Sequence, residues 1–92
     1  MAKVLVSIKA YPEGVEIDRK QLVEKIRAVL PEGYELVRFS EEPVAFGYTL
    51  LKLYITMPEE TEGGTEKLEE LLKNVEGIED IEIETVHRLS EF

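Results

Sequence analysis

Along this chain the spacing of apolar residues switches four times between a period of two and a period of roughly 3.6, and the order of the switches restricts the fold more than any single motif does. Val4, Val6, Ile8 and Ala10 alternate with Leu5, Ser7, Lys9 and Tyr11, which predicts a first strand over Lys3 to Tyr11. Pro12-Glu13-Gly14 breaks it. Asp18, with Gln21 three residues on, has the pattern of a capping box, and Leu22, Ile26, Val29 and Leu30 then form one helical stripe up to Pro31-Glu32-Gly33. The spacing predicts a helix over 18–30.

Tyr34 to Glu41 reads as a second strand whose two faces are both mixed, and Glu42-Pro43-Val44-Ala45 as a short connection. Phe46 to Met57 is the most regular strand pattern, with Leu51, Leu53, Ile55 and Met57 inward and Tyr48, Leu50, Lys52 and Tyr54 outward. After an acidic loop over Pro58 to Gly64, Thr65 is expected to cap a second helix lined by Leu68, Leu71, Leu72 and Val75, with Gly77 as its C′ residue. A last strand over 79–86 sets Ile81 and Ile83 against Glu82 and Glu84, and His87-Arg88-Leu89 follows as a tail. The resulting order, β-α-β-β-α-β, is that of the split βαβ or ferredoxin-like fold, an α+β class in which two helices cover one face of a four-stranded antiparallel sheet. At 92 residues the expectation is one domain over 1–92.

Twenty acidic residues against eleven basic ones give a net charge of −9, which repels polyanions and removes the counterion-release term behind non-specific nucleic-acid binding. Direct contact with nucleic acid is therefore not expected, whereas a partner with a basic patch suits such a surface. There is no cysteine, which excludes disulfides, thiolate metal sites and thiol nucleophiles. No apolar run approaches the roughly 20 residues that span a bilayer, and no secretory pattern precedes the first strand, so the expectation is a cytoplasmic protein without a membrane partner.

Few residues offer chemistry. Gly63-Gly64-Thr65-Glu66-Lys67 lacks the spacing of a phosphate-binding loop, and the Glu residues around it favour a plain loop and helix cap over an anion site. His87 is the only histidine; with Glu84 and Glu91 as its nearest acidic neighbours it closes no metal site, and a solvent-facing or partner-facing role is the simpler reading. No nucleophile has a base and an orienting group nearby, and neither a cofactor nor a bound metal is expected. Tyr11, Tyr48 and Tyr54 could form an aromatic platform for RNA bases, but Glu82 and Glu84 share that face and the RNA-binding aromatic pattern is not matched around Phe46-Gly47-Tyr48. Lys9 and Lys52 read as cross-strand partners of those glutamates. Phe46, beside Gly47 at a loop-to-strand junction, is either core filling or an exposed aromatic contact for a protein partner.

Several of these segments together carry a resemblance: Ile8-Lys9, Leu30-Pro31-Glu32-Gly33-Tyr34, Glu41 to Gly47, Glu62 to Glu66, and Val86-His87-Arg88-Leu89. Over its whole length the chain resembles the guanine nucleotide exchange domain family of elongation factor 1-beta, in its archaeal form. The resemblance implies a non-enzymatic ferredoxin-like domain that binds the GTPase elongation factor 1-alpha and promotes GDP release so that GTP can enter. Phe46 looks like the loop phenylalanine that touches the partner in eukaryotic relatives, with Gly47 beside it. Arg88, next to His87, looks like the counterpart of a near-terminal lysine directed at the partner's magnesium site. Two departures stand out: arginine replaces lysine, and Leu89-Ser90-Glu91-Phe92 extends beyond the point where those relatives stop, so the tail has to fold aside. A monomer is the expected state. The topology also places Phe46 and Arg88 at opposite ends of the sheet, roughly 30 Å apart. The reading from another class is a ferredoxin-like RNA-binding or small-ligand regulatory module; an acylphosphatase-like enzyme of the same fold is set aside, because the chain lacks an anion-cradling loop with an arginine near the first strand.

Overall fold

A computed structural model describes residues 3–59 and 64–89. They run in the order β1 (Lys3–Pro12), α1 (Arg19–Val29), β2 (Glu35–Ala45), β3 (Tyr48–Pro58), α2 (Glu66–Lys73) and β4 (Ile78–Leu89). The four strands form one sheet in the order β2-β3-β1-β4, every neighbouring pair antiparallel. This is the ferredoxin-like arrangement, an α+β fold, that the order of periodicities predicts. No helix among the described residues is long and apolar enough to cross a membrane.

One face of the sheet is dry. Val6, Ile8 and Ala10 of β1 lie opposite Ile55, Leu53 and Leu51 of β3, and all six are fully buried beneath Leu22, Val23 and Ile26 of α1 and Leu68 and Leu72 of α2. Alternation in the two central strands thus delivers one side of each to the helices, as the pleat requires. The stripe of α1 is centred slightly differently from its expected position: Val23 is buried and Val29 is exposed. Asp18 caps α1 by accepting from the backbone N–H groups of Lys20 at 2.9 Å and Gln21 at 3.3 Å.

Five features differ from the sequence reading, each for a physical reason. Residues 42–45 are not a connection but the end of β2, which continues to Ala45. Pro43 is tolerated there because β2 is an edge strand and the pairing with β3 is irregular between Pro43 and Ala45. Phe46 is not the first residue of β3 but a turn residue, with φ of 49°. Thr65 stands before α2 but makes no side-chain cap bond, its backbone being already helical at φ −85° and ψ −5°. Gly77 lies beyond the helix C-terminus, in a turn closed by the Ile78 N–H donating to the Val75 carbonyl, where φ of 103° calls for glycine.

The last difference concerns β4, which runs to Leu89, so that His87, Arg88 and Leu89 are strand and not tail. A bulge interrupts its register between Ser7 and Ile8, where Ser7 faces Thr85 and Ile8 faces Ile83. The extra residue, Glu84, stays on the open face, and the alternation restarts with the opposite phase. A period-two reading loses the strand at that point.

Candidate functional site

The residues singled out in the sequence fall at the two ends of the sheet. At one end β2 and β3 are joined by Phe46 and Gly47 alone, with Ala45 paired to Tyr48 across the turn. Both turn residues have positive φ, 49° and 80°, the signature of a type I′ hairpin, whose backbone twist matches that of the strands. The preferred residues are Asn-Gly or Asp-Gly, so a phenylalanine at the first position is strained as well as unusual. The Phe46 ring is fully exposed, with Val44 exposed beside it. Core filling, one of the two readings open from the sequence, is therefore ruled out for Phe46.

At the other end, Arg88 lies opposite Val4 of β1, which in turn lies opposite Met57 of β3. The register puts Arg88 on the helix side of the sheet and His87, opposite Leu5, on the open side. The Arg88 Nε donates to Glu59 Oε1 at 2.9 Å, with the Arg88 side chain 74% exposed and that of Glu59 29%. From Tyr48 to Met57 is nine steps along β3, so at about 3.3 Å per residue the Phe46 and Arg88 ends are roughly 30 Å apart. The whole molecule measures 43 × 21 × 18 Å, which accommodates that separation along its long axis.

The open face between the two ends is occupied by its own side chains. Glu84 accepts from Lys9 Nζ at 3.5 Å and from Lys52 Nζ at 3.6 Å, the cross-strand pairs that the sequence suggests. Tyr11 donates its hydroxyl to Glu82 at 3.0 Å, and the Arg38 guanidinium sits 5.7 Å from the centre of the Tyr54 ring. The charge of Glu84 raises the pKa of Lys9, with burial opposing it, and the hydrogen bond to Glu82 raises that of Tyr11. Tyr48, the third tyrosine, is drawn away from this face: its hydroxyl donates to the Pro12 carbonyl at 2.5 Å and Arg19 stacks on its ring. A stacking platform for bases needs free rings, whereas those of Tyr48 and Tyr54 each face a guanidinium and the Tyr11 hydroxyl is held by Glu82.

Among the described residues, no group of three or more His, Cys, Asp or Glu side chains could hold a metal ion. Glu91, and residues 60–63 of the glycine-containing loop, lie outside the described residues.

The family model for the EF-1 guanine nucleotide exchange domain matches residues 5–89. The chain belongs to that family. The exchange domain is 62% identical over 90 residues to the elongation factor 1-beta of Ignicoccus hospitalis, covering 98% of this chain and 96% of the relative. It is 55% identical over 92 residues to that of Hyperthermus butylicus, covering both chains completely. Against that of Staphylothermus marinus it is 58% identical over 90 residues, 98% of this chain and 100% of the relative. Its function is guanine nucleotide exchange in translation elongation.

Two residues of the exchange domain escaped the sequence reading, Arg19 at the Phe46 end and Glu59 at the Arg88 end, and Tyr48 was read only as part of an aromatic platform. Arg19 did leave a signal. It is the first residue of α1, where a cation opposes the helix dipole, so its charge has to be committed elsewhere.

Proposed function

We propose that the chain acts as one domain over 1–92 that promotes GDP release and GTP loading on elongation factor 1-alpha, with Phe46 and Gly47 as an anchoring contact and Arg88, flanked by His87, as the group presented to the nucleotide site. The observation that carries this division is the state of Phe46: a large ring wholly in solvent on a left-handed backbone that local stability would assign to Asn or Gly. Strain of that kind, worth about 1–3 kcal/mol, persists where function requires it.

GTPases hold Mg²⁺ through a P-loop hydroxyl and an acidic side chain while the ion bridges phosphate oxygens. A guanidinium brought beside that ion opposes it electrostatically but cannot take over its coordination of the phosphates, and the nucleotide loosens. Arg88 is available for this, because an ion pair as exposed as Arg88–Glu59 is worth only about 0–1 kcal/mol. No covalent bond is made or broken, so the activity is not enzymatic in that sense and uses no cofactor. Linkage makes the effect reciprocal: returning nucleotide weakens the factor by the same coupling, and the complex is transient. The factor works as a monomer in the cytoplasm, without direct contact to nucleic acid or membrane.

The test is release of fluorescent GDP from the cognate elongation factor at increasing concentrations of the exchange domain. Phe46→Ala is expected mainly to raise the half-maximal concentration, and Arg88→Ala mainly to lower the plateau rate. Equal loss of affinity in the two variants would contradict the division of roles. Unchanged GDP release by the wild type, at concentrations where the two proteins associate, would contradict the function.

A further inference from the structure

The hairpin that carries Phe46 overhangs the sheet. β1 pairs with β3 from Lys3 opposite Pro58 as far as Ala10 opposite Leu51, so Tyr48, Thr49 and Leu50 have ladder partners on β2 alone. An isolated two-stranded ribbon is marginally stable, and a phenylalanine at positive φ biases its turn toward other conformations. The ladder is therefore not what holds the tip in place.

Arg19 supplies what is missing. It is buried, and its guanidinium donates to the Thr49 carbonyl through Nε at 3.0 Å and Nη2 at 2.5 Å, gripping the overhanging strand two residues past the turn. Its Nη1 donates to the carbonyls of Ile17 at 2.6 Å, Gly14 at 3.1 Å and Val15 at 3.4 Å, tying the same group to the loop between β1 and α1. The guanidinium carbon lies 5.7 Å from the centre of the Tyr48 ring, and the Tyr48 hydroxyl donates to the Pro12 carbonyl at the end of β1. Only a planar fork of donors serves two separate chain segments at once while stacking on a ring; an ammonium offers a point charge instead.

We infer that Arg19 and Tyr48 are positioning residues for guanine nucleotide exchange, clasping the base of the hairpin so that Phe46 is presented in its binding-competent left-handed turn. The inference rests on the reading of Phe46 as the anchoring contact. Affinity scales with the fraction of molecules in the competent conformation. If a loosened clasp leaves the turn competent about one tenth of the time, the half-maximal concentration rises about tenfold while the plateau rate, set at the distant Arg88 end, stays the same.

The experiment compares Arg19→Lys, Tyr48→Phe, Phe46→Ala and the double variant Arg19→Lys/Phe46→Ala in the GDP-release titration, with thermal unfolding and the backbone order parameter of the Phe46 amide measured on each protein. The expected result is a raised half-maximal concentration for folded Arg19→Lys, no further rise when it is added to Phe46→Ala, and a Phe46 order parameter falling from about 0.85 toward 0.6. Tyr48→Phe keeps the stack and loses only the bond to Pro12; it is expected to move in the same direction by less, and it decides the matter if Arg19→Lys does not fold. An unchanged half-maximal concentration in a folded clasp variant, or effects of Arg19→Lys and Phe46→Ala that multiply independently, would overturn the inference. If Phe46→Ala itself leaves the titration unchanged, it is the reading of Phe46 that fails, whatever the clasp variants do.

Discussion

Replacing Phe46 by Asn should make the domain more stable and a poorer exchange factor at once. The ring is fully exposed in the free protein, so its removal forfeits no buried area. What changes is the turn. At φ of 49° the Cβ of an ordinary L-residue crowds the following carbonyl, at a cost of about 1–2 kcal/mol, whereas Asn adopts this region readily and Asn-Gly is the favoured type I′ pair. Unlike glycine, Asn adds little freedom to the unfolded chain, so most of the relief is retained in the folding equilibrium. A net gain of about 1 kcal/mol corresponds to a rise of about 4–8 °C in Tm for a domain of this size.

The assay is calorimetric or spectroscopic unfolding of Phe46→Asn beside wild type at one protein concentration, with the GDP-release titration run on the same samples. A Tm that stays level or falls would refute the claim that Phe46 is strained in the free domain. A rise in Tm with an unchanged titration would refute the claim that the strain is maintained for partner binding. Phe46→Ala serves as the control, since it removes the ring but keeps a Cβ at positive φ; its Tm should stay near that of wild type.

Three further outcomes follow from other parts of the molecule. Gly77→Ala places a Cβ 3.2 Å from Leu22 Cδ1 and 3.6 Å from Ile17 Cγ2 on a backbone at φ of 103°, and is expected to cost about 1–3 kcal/mol in urea unfolding. Leu53→Ala, at the fully buried centre of β3, is expected to cost about 2–5 kcal/mol, seen as a lower urea midpoint with an unchanged slope. Tyr11 and Lys9 both have pKa values raised by folding, so their stabilisation is complete below their unfolded values and disappears as pH rises through the folded ones, in a window above about pH 10. Tyr11→Phe should accordingly lose less stability than wild type across that alkaline window; parallel curves would show that the bond to Glu82 is not coupled to folding.

The parts of this fold that were legible in the sequence are those where one residue's face is fixed by its immediate neighbours. β1 and β3 alternate because one side of each is buried, and the α1 and α2 stripes mark the same dry face. Legibility failed where a local rule was broken. Phe46 has the β propensity of a strand residue, and nothing local distinguishes it from the first residue of β3 when the usual Asn-Gly signature is absent. Pro43 suggested a connection because its tolerance depends on β2 being at the sheet edge, which is a property of the assembled sheet. The bulge at Glu84 reversed the phase of β4 and hid three residues of strand, including Arg88. Arg19 and Thr49 are thirty positions apart, and a side chain donating to a carbonyl at that distance leaves no periodic trace. The conflict between the Arg19 charge and the α1 dipole was the one local clue to it.

The proposed separation of anchor and cation bears on why a sheet, and not a flexible peptide, would suit this task. A group that acts only at the nucleotide site is self-limiting, because the nucleotide it weakens also competes it away. Affinity drawn from a contact roughly 30 Å distant is not subject to that competition, and it raises the effective concentration of Arg88 at its target. The gain depends on the spacer. A flexible tether spreads the cation through a large volume, whereas β3 and β1, paired over eight consecutive positions, hold it in a small one. Softening the sheet should therefore weaken the coupling even among molecules that remain folded. On this reasoning Leu53→Ala, which touches neither end, should lower the plateau exchange rate at temperatures well below its Tm, and an undiminished plateau would mean that rigidity between the two ends is not what couples them.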